Sequence, residues 1–262
     1  MNSVVDAAWL GEHLADEDLV VGDVRGPNAH MRGHIPGSRP LVLGSPPPGA
    51  DEATLTALAQ EIGLRLRRHG IGGRERLVLV DRGDGIGSMP ALQMAELAGH
   101  PNVAVLLGGM AAWQGELEEG AVELEPLREA QADFQPNLAA MPTRQEIAGR
   151  LGDEALVLLD IRTPDEYTGR TGSPCDPRQG HIPGARLVDL GDLFDGPGQP
   201  ASPERVRAVV GLPEGAEVVA YCHSGSRSAL AALALRSAGY DARNYPGSWH
   251  EWSRHDELPL ER

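Results

Sequence analysis

The segment YCHSGSRS (221–228) brings together a thiol, a glycine, small polar residues and a cation. It stands between an apolar run and an Ala/Leu-rich run. A loop at that place curls its backbone N–H groups around the residue at the end of the strand and aims a helix N-terminus at it. A thiol held there is stabilised as a thiolate, more so if Arg227 points inward. The segment therefore predicts a nucleophilic Cys222, the alternative being a small, inert core cysteine.

The elements that position this loop are written twice in the chain. The matching pairs, first copy then second, are VGDVRGPNAHMRGHIPGSR (21–39) with LLDIRTPDEY to RQGHIPGAR (158–186), LVLVD (77–81) with VVAYC (218–222), and GGMAAW (108–113) with GSWHEW (247–252). The period of about 140 residues is that of a duplicated domain and not of a solenoid. The second copy carries ten extra residues before its HIPG turn.

Within each copy, short apolar runs rich in β-branched residues alternate with helical stretches such as MPALQMAELAG and RSALAALALRSAG. Gly99 and Gly239 stand where helices commonly end. This alternation predicts an α/β fold, with a parallel sheet flanked by helices in each copy. We expect domains at 1–120 and 141–262, joined by an acidic linker at 121–140.

Composition narrows the function further. The formal net charge is −15, which disfavours nucleic acid as a partner. No apolar run reaches the roughly 20 residues of a membrane helix, and the start lacks the pattern of a signal peptide. Two cysteines are too few for a disulfide framework or an all-cysteine zinc site. We therefore expect a cytoplasmic protein without a membrane anchor, a metal or a cofactor.

The repeat, the HIPGA turn, the CHSGSR loop and YPGSWHEW together resemble the two-domain rhodanese family of sulfurtransferases, from about Val4 to Trp252. The resemblance implies two tandem rhodanese-like domains. It also implies that Cys222 takes a sulfane sulfur as a persulfide and passes it to a nucleophilic acceptor. Asp81 stands where the first copy would need this cysteine, so we expect a structural first domain and one active site per chain.

The resemblance also implies roles for other residues. Ser224 and Arg227 would take part in catalysis. Arg178, three residues before the His of HIPGA, would bind the anionic group of the sulfur donor, with Arg170 as a second clamp. Trp249, whose counterpart in the first copy is Met110, is expected to line the active-site side. The remaining residues expected to bind substrate belong to the loop: His223, Gly225 and Ser226.

Other residues are expected to be structural, because they recur in the copy that lacks the cysteine. They are the pairs Asp23 with Arg25 and Asp160 with Arg162, the turn histidines His34 and His181, and the core tryptophans Trp113 and Trp252. Cys175 is either a resolving thiol for Cys222 or an ordinary cysteine of a surface loop.

The expected reaction is a double displacement from an anionic donor to cyanide or a thiol such as thioredoxin. Four residues separate Cys222 from Arg227, one fewer than in loop-cysteine phosphatases, which favours sulfur over a phosphoryl group. The cations His223 and Arg227 favour thiosulfate, whereas Ser224 resembles the loop of 3-mercaptopyruvate enzymes, which remain the alternative. A sulfur carrier without turnover of small molecules is the alternative of another class.

Overall fold

The structure is a computed structural model that describes residues 3–47, 49–126 and 134–262. The chain forms two compact units. The first comprises Met1–Ser45, Glu52–Ala140 and Pro197–Gln199, and the second Pro46–Asp51, Met141–Gly196 and Pro200–Arg262.

The first unit alternates strands and helices along the chain. Its elements are β1 (Val4–Val5), α1 (Ala7–His13), β2 (Leu19–Asp23), α2 (Pro27–Met31), β3 (Arg39–Pro40), α3 (Glu52–Arg68), β4 (Arg76–Val80), α4 (Ser88–Leu97), β5 (Val103–Leu106) and α5 (Gly109–Ala112). A 3₁₀ turn, Leu138–Ala140, follows. The strands form a five-stranded sheet in the order β1-β5-β4-β2-β3, with every neighbouring pair parallel. The central strand, β4, is almost wholly buried, as expected for a sheet covered on both faces.

The second unit repeats this plan. Its elements are α6 (Arg144–Gly149), β6 (Leu156–Asp160), α7 (Pro164–Tyr167), β7 (Arg186–Leu187), a 3₁₀ turn (Leu190–Leu193), β8 (Phe194–Gly196), β9 (Gln199–Pro200), α8 (Pro203–Val210), β10 (Glu217–Tyr221), α9 (Ser226–Ser237), β11 (Asp241–Asn244) and α10 (Ser248–Trp252). A parallel four-stranded sheet has the order β11-β10-β6-β7, and β8 pairs with β9 in a small separate sheet.

The core of the second unit explains how β10 and α9 are held. Strand β10 is flanked by β6 and β11, and its last four residues are buried. Helix α9 consists largely of alanine and leucine and is buried over most of its length. Such small side chains let a helix lie close to a sheet, and burial of the apolar surface stabilises that contact. The loop between β10 and α9 is therefore anchored at both ends.

Several expectations from the sequence are confirmed. Both units are parallel sheets with helices. Gly99 and Gly239 have φ of +93° and +90° just after α4 and α9, as terminal glycines do. The two repeated ion pairs form, each with an N–O distance of 2.6 Å: Asp23 with Arg25, and Asp160 with Arg162.

The structure also bears on the expectations for the two core tryptophans, the linker and the absence of a membrane helix. Trp252 is fully buried, but Trp113 is only partly buried and packs at the edge of its core cluster. Of the linker expected at 121–140, residues 127–133 lie outside the described residues, and Leu138–Ala140 is counted with the first unit. Among the helices that the structure describes, none is both long and apolar enough to cross a membrane.

Candidate active site

Cys222 follows directly on β10, at the carboxyl edge of the parallel sheet, where α/β proteins commonly bind ligands. It is only 1% exposed. The loop turns at Gly225, which has φ of +85°. A Cβ at that position would lie 2.8 Å from the Pro246 carbonyl oxygen, so the turn requires glycine. Helix α9 then begins at Ser226, with its N-terminus close in sequence to the thiol.

The first unit shows what this kind of loop does for the residue at the strand end. Asp81 stands at the place that matches Cys222 and is almost completely buried. Its carboxylate accepts hydrogen bonds from the N–H groups of Gly83 at 2.8 Å, Gly87 at 3.2 Å and Ser88 at 3.1 Å, and from the Ser88 hydroxyl at 2.9 Å. The strand-to-helix loop of this fold thus gathers donors around an anion. In the first unit, that anion is the carboxylate of Asp81 itself.

Cys222 has polar contacts of its own. The hydroxyl of Ser228, in the first turns of α9, donates to the Cys222 sulfur at 3.4 Å. The Cys222 N–H donates to Ser248 Oγ at 3.1 Å, and the Ser248 hydroxyl donates in turn to the Tyr245 carbonyl at 2.8 Å. The Trp249 N–H donates to the Cys222 carbonyl at 3.0 Å. The start of α10 therefore holds the backbone of Cys222, whereas α9 contributes a hydroxyl to its sulfur.

Ser248 has a strained backbone. Among the described residues it is the one non-glycine residue with positive φ, at +52°. Its counterpart in the first unit is Gly109, whose φ is +48°. The left-handed region costs a residue with a Cβ about 1–3 kcal/mol, a strain that glycine avoids. The second unit accepts this strain and gains a hydroxyl that holds the Cys222 N–H.

We expect Ser248→Ala to be less stable than Ser248→Gly by about 1 kcal/mol, because alanine keeps the strain and glycine releases it. Both variants lose the hydroxyl and leave a buried N–H unpaired, which costs about 1–3 kcal/mol. Urea unfolding followed by tryptophan fluorescence measures the stabilities. The alkylation rate of Cys222 reports the change in the loop. Equal stabilities of the two variants would show that the backbone at 248 is not strained.

Arg227 and Glu166 form a bidentate ion pair beside the thiol. The two guanidinium nitrogens lie 3.0 and 3.1 Å from the two carboxylate oxygens. The hydrogen bonds that Arg227 donates to Glu166 raise the pKa of Arg227, against the effect of partial burial and with a further contribution from Cys222. Arg227 therefore stays charged in its pair with Glu166, close enough to Cys222 for the two groups to interact electrostatically.

Glu166 is held by its own helix as well. It closes a capping box at the start of α7, in which Thr163 and Glu166 each bond the other's backbone N–H. Partial burial acts to raise the pKa of Glu166. Hydrogen bonds from Arg227 and from the Thr163 N–H outweigh it and bring that pKa to about 2. The carboxylate is thus a fixed anion that orients Arg227.

The lowered pKa predicts how stability depends on pH. Because the folded-state pKa of Glu166 is about 2 and its usual value is 4.5, its contribution is complete above pH 4.5 and is lost as the pH falls toward 2. We expect Glu166→Gln to reduce the free energy of unfolding by about 1–2 kcal/mol at pH 7, allowing for the partial exposure of Arg227. The difference from wild type should close as the pH falls from 4.5 to 2.

Urea unfolding at a series of pH values tests this expectation. The matched control is Glu204→Gln, which removes an exposed partner of Arg207 one helical turn away on α8. It should change stability little at any pH, because this ion pair is exposed to solvent. A Glu166→Gln deficit that stayed constant down to pH 2 would contradict the assigned pKa.

Arg178 takes a place different from the one expected. Its guanidinium donates to the backbone carbonyls of Ser253 at 2.9 Å, Leu258 at 2.7 Å and Trp252 at 2.9 Å, and also to that of His255. All three nitrogens are engaged with the C-terminal segment. The geometry therefore gives no support to the expectation that Arg178 binds a substrate anion, and it makes this residue a brace for the end of the chain.

Arg170 and Trp249 are not brought to an open site either. Arg170 is 70% exposed and pairs with Asp165 at 3.1 Å. Trp249 is 0% exposed, and its indole N–H donates to the Arg178 carbonyl at 3.1 Å. The Arg162 guanidinium lies over its ring, 4.8 Å from the centroid. Trp249 is a core residue beneath the loop and presents no surface to a substrate in this structure.

The other loop residues differ in exposure. Ser224 and Ser226 are exposed at the loop surface, and Gly225 is buried at the turn. The side chain of His223 is directed to Asp176, with Nε2 3.1 Å from Oδ2. His223 thus has a carboxylate partner in the ten-residue insertion, which is a contact that the sequence comparison did not indicate.

Three residues near the thiol were not singled out from the sequence. Glu166 had a recognisable signal, since T-P-D-E before a short helix is a capping-box pattern. Ser228 stands one helical turn after Gly225 in the quoted segment, but nothing in its spacing distinguishes it from Ser226. Ser248 aligns with Gly109, and a serine in place of a turn glycine is a weak signal.

Known proteins resemble this chain over most of its length. The family model described as "Rhodanese-like domain" matches residues 6–116 and 143–255. A putative thiosulfate sulfurtransferase, SseB, of Mycobacterium tuberculosis is 30% identical over 273 residues, which cover 99% of this chain and 90% of the relative. The 3-mercaptopyruvate sulfurtransferase of Escherichia coli is 28% identical, with 98% of this chain and 97% of the relative covered.

A solved structure is similar as well. The crystal structure of a probable thiosulfate sulfurtransferase superposes with a TM-score of 0.71 at 34% identity, covering 94% of this chain and 98% of that one. The similarity includes both units of the present chain. It is therefore not limited to the loop around Cys222.

Proposed function

Because the chain belongs to the rhodanese-like domain family and is a sulfurtransferase, we propose that its reaction runs through a persulfide on Cys222 in the second unit. The first unit has Asp81 at the matching position, and a carboxylate cannot carry sulfane sulfur. One active site per chain follows. The other loop residues proposed to take part are Ser224 and Arg227.

The proposed reaction has two displacements. The Cys222 thiolate attacks the outer sulfur of the donor, a new S–S bond forms, and the leaving group departs with the electron pair of the broken bond. Sulfite leaves from thiosulfate, and pyruvate, after protonation of the departing carbanion or enolate, leaves from 3-mercaptopyruvate. The acceptor then attacks the outer persulfide sulfur and regenerates the thiolate.

The observation that carries this proposal is the set of hydrogen-bond donors around the Asp81 carboxylate. The matching loop of the same fold gathers three backbone N–H groups around a negative charge at the strand end. A thiolate and a persulfide are both anions at that position, so donors of this kind stabilise both. In the second unit the N-terminus of α9, the Ser228 hydroxyl and Arg227 supply positive potential at Cys222.

The choice of sulfur donor rests on fewer observations than the choice of Cys222. Thiosulfate was favoured because Arg227 and His223 add positive charge to the loop. In the structure, Arg227 pairs with Glu166 and His223 lies against Asp176, and these carboxylates offset the two charges. We keep thiosulfate as the proposed donor and 3-mercaptopyruvate as the second candidate. Thioredoxin as the acceptor and a cytoplasmic location remain predictions from the sequence.

Parallel steady-state assays with thiosulfate and 3-mercaptopyruvate, with cyanide as the common acceptor, test the proposal. We expect turnover with both donors and a larger kcat/KM for thiosulfate. A larger value for 3-mercaptopyruvate would reverse the donor assignment. If neither donor loads one sulfur atom on the chain, as judged by intact-mass spectrometry, the persulfide route is contradicted.

A further inference from the structure

Four side chains of three different types meet beside the catalytic loop. Cys175 and Asp176 lie in the ten-residue insertion, His223 follows the catalytic cysteine, and His250 lies on α10. One ligand atom from each, the cysteine sulfur, a carboxylate oxygen and one ring nitrogen of each histidine, lies within 4.8 Å of all the others. We call this group the thiol-imidazole cluster.

The separations within the cluster suit a tetrahedral metal ion. The Cys175 sulfur lies 3.8 Å from His223 Nε2, 3.6 Å from His250 Nδ1 and 3.7 Å from Asp176 Oδ1. The two carboxylate oxygens of Asp176 lie 3.1 Å from His223 Nε2 and 3.0 Å from His250 Nδ1. Ligand atoms about 2.0–2.3 Å from a tetrahedral Zn²⁺ lie roughly 3.3–3.7 Å from one another. Small shifts of these side chains are enough to reach that geometry.

One oxygen of the buried Asp176 carboxylate lacks a hydrogen bond from any described residue. The Asp176 side chain is only 1% exposed. Within the part of the chain that the structure describes, its Oδ2 atom accepts no hydrogen bond, although His223 Nε2 is near. A buried carboxylate oxygen that accepts no hydrogen bond is costly, and a bound cation removes that cost. Cys175 is exposed and both histidines are partly exposed, so an ion can enter from solvent.

Surrounding groups suit ligands of this kind. Ser173 Oγ lies 3.0 Å from the Cys175 sulfur, where a hydroxyl stabilises a thiolate. Arg254 donates to Asp176 Oδ1 at 3.2 Å and to the Cys175 carbonyl at 2.5 Å. Hydrogen bonds to the ligands themselves orient metal sites. One thiolate, one carboxylate and two neutral imidazoles also balance the charge of a divalent ion.

The first unit lacks this group. Ala111 aligns with His250, Arg82 aligns with His223, and the insertion that carries Cys175 and Asp176 occurs only in the second copy. The unit that contains the catalytic cysteine is thus the unit that carries all four ligands. These ligands give the insertion a function in binding an ion. Arg178 does not supply such a function, because its guanidinium is engaged with the C-terminal segment.

We propose that Cys175, Asp176, His223 and His250 form a Zn²⁺ site that fixes the catalytic loop to the insertion through His223. On binding, the Cys175 thiol releases its proton to solvent and the sulfur becomes a ligand. Zinc suits the set, because it accepts thiolate, imidazole and carboxylate ligands in tetrahedral geometry and is not redox-active. We expected no metal because two cysteines are too few for an all-cysteine zinc site. The proposed site needs only one cysteine.

The test uses the Cys222→Ser variant of the 262-residue chain, in which Cys175 is the only thiol. After chelator treatment and reloading, we expect one Zn²⁺ per chain by elemental analysis. Reloading with Co²⁺ should give the intense visible bands of four-coordinate cobalt and a thiolate-to-cobalt charge-transfer band. Absence of stoichiometric zinc, or a cobalt spectrum without the charge-transfer band, would overturn the proposal. These readouts do not depend on sulfur transfer.

Substitutions then locate the site. Cys175→Ser in the wild-type background should lose the charge-transfer band, and His250→Ala should weaken Zn²⁺ binding by at least about 100-fold. The matched control is His255→Ala, since His255 lies close by in sequence but pairs with Glu257 outside the cluster. Circular dichroism confirms that each variant is folded. Equal zinc affinity of the His250 and His255 variants would refute the assignment.

Discussion

We expect Cys222→Ser to abolish sulfur transfer and to leave the fold intact. Serine keeps the size of the side chain and the contacts of the Cys222 backbone to Ser248 and Trp249, but its hydroxyl is a poor sulfur acceptor. We expect kcat/KM to fall by at least roughly a thousandfold, as for loss of a nucleophile. The urea midpoint should change little. Steady-state assays and intact-mass spectrometry after exposure to thiosulfate measure the loss of sulfur transfer, and urea unfolding measures the stability.

The matched control is Cys175→Ser, which removes the other thiol. That variant should still gain the mass of one sulfur atom from the donor, whereas Cys222→Ser should gain none. Sulfur retained by Cys222→Ser at the stoichiometry of the wild type would move the persulfide to Cys175. The result would then reverse the assignment of the active site.

Arg178→Ala should strongly destabilise the second unit. The guanidinium donates to four backbone carbonyls between Trp252 and Leu258, and its side chain is only 20% exposed. Removal leaves several carbonyls without donors and weakens the attachment of the C-terminal segment to the insertion, which then depends on contacts such as those of Arg254. We expect a loss of about 3–5 kcal/mol in the free energy of unfolding. Urea unfolding by tryptophan fluorescence measures it, since Trp249 and Trp252 lie in this unit.

Arg170→Ala is the control for the loss of an arginine from the same insertion. Arg170 is exposed and contacts Asp165 and Thr168 at the surface, so its removal should cost less than about 1 kcal/mol. The KM for thiosulfate separates the two roles considered for Arg178. A large rise in KM with unchanged stability would restore a role in binding the sulfur donor.

Local patterns in the sequence were sufficient to predict the fold and to propose the nucleophile. Alternating apolar strands and helices, written twice, specify two parallel sheets, because each pattern acts over neighbouring residues and the period of each element is visible in the chain. Cys222 was identified in the same way. A thiol between a buried strand and a helix occupies a place that connectivity alone defines.

The tertiary structure alone decided which side chains meet. Glu166 is 61 residues from its partner Arg227, and the cluster joins Cys175 to His250 across 75 residues. Arg178, judged by its distance from a motif, was expected at the substrate. Its guanidinium instead reaches carbonyls more than 70 residues away. Side-chain direction depends on packing between elements, which leaves no periodic trace in the sequence. The proposed nucleophile could therefore be predicted from the sequence, whereas its charged neighbours and the proposed zinc ligands required the folded structure.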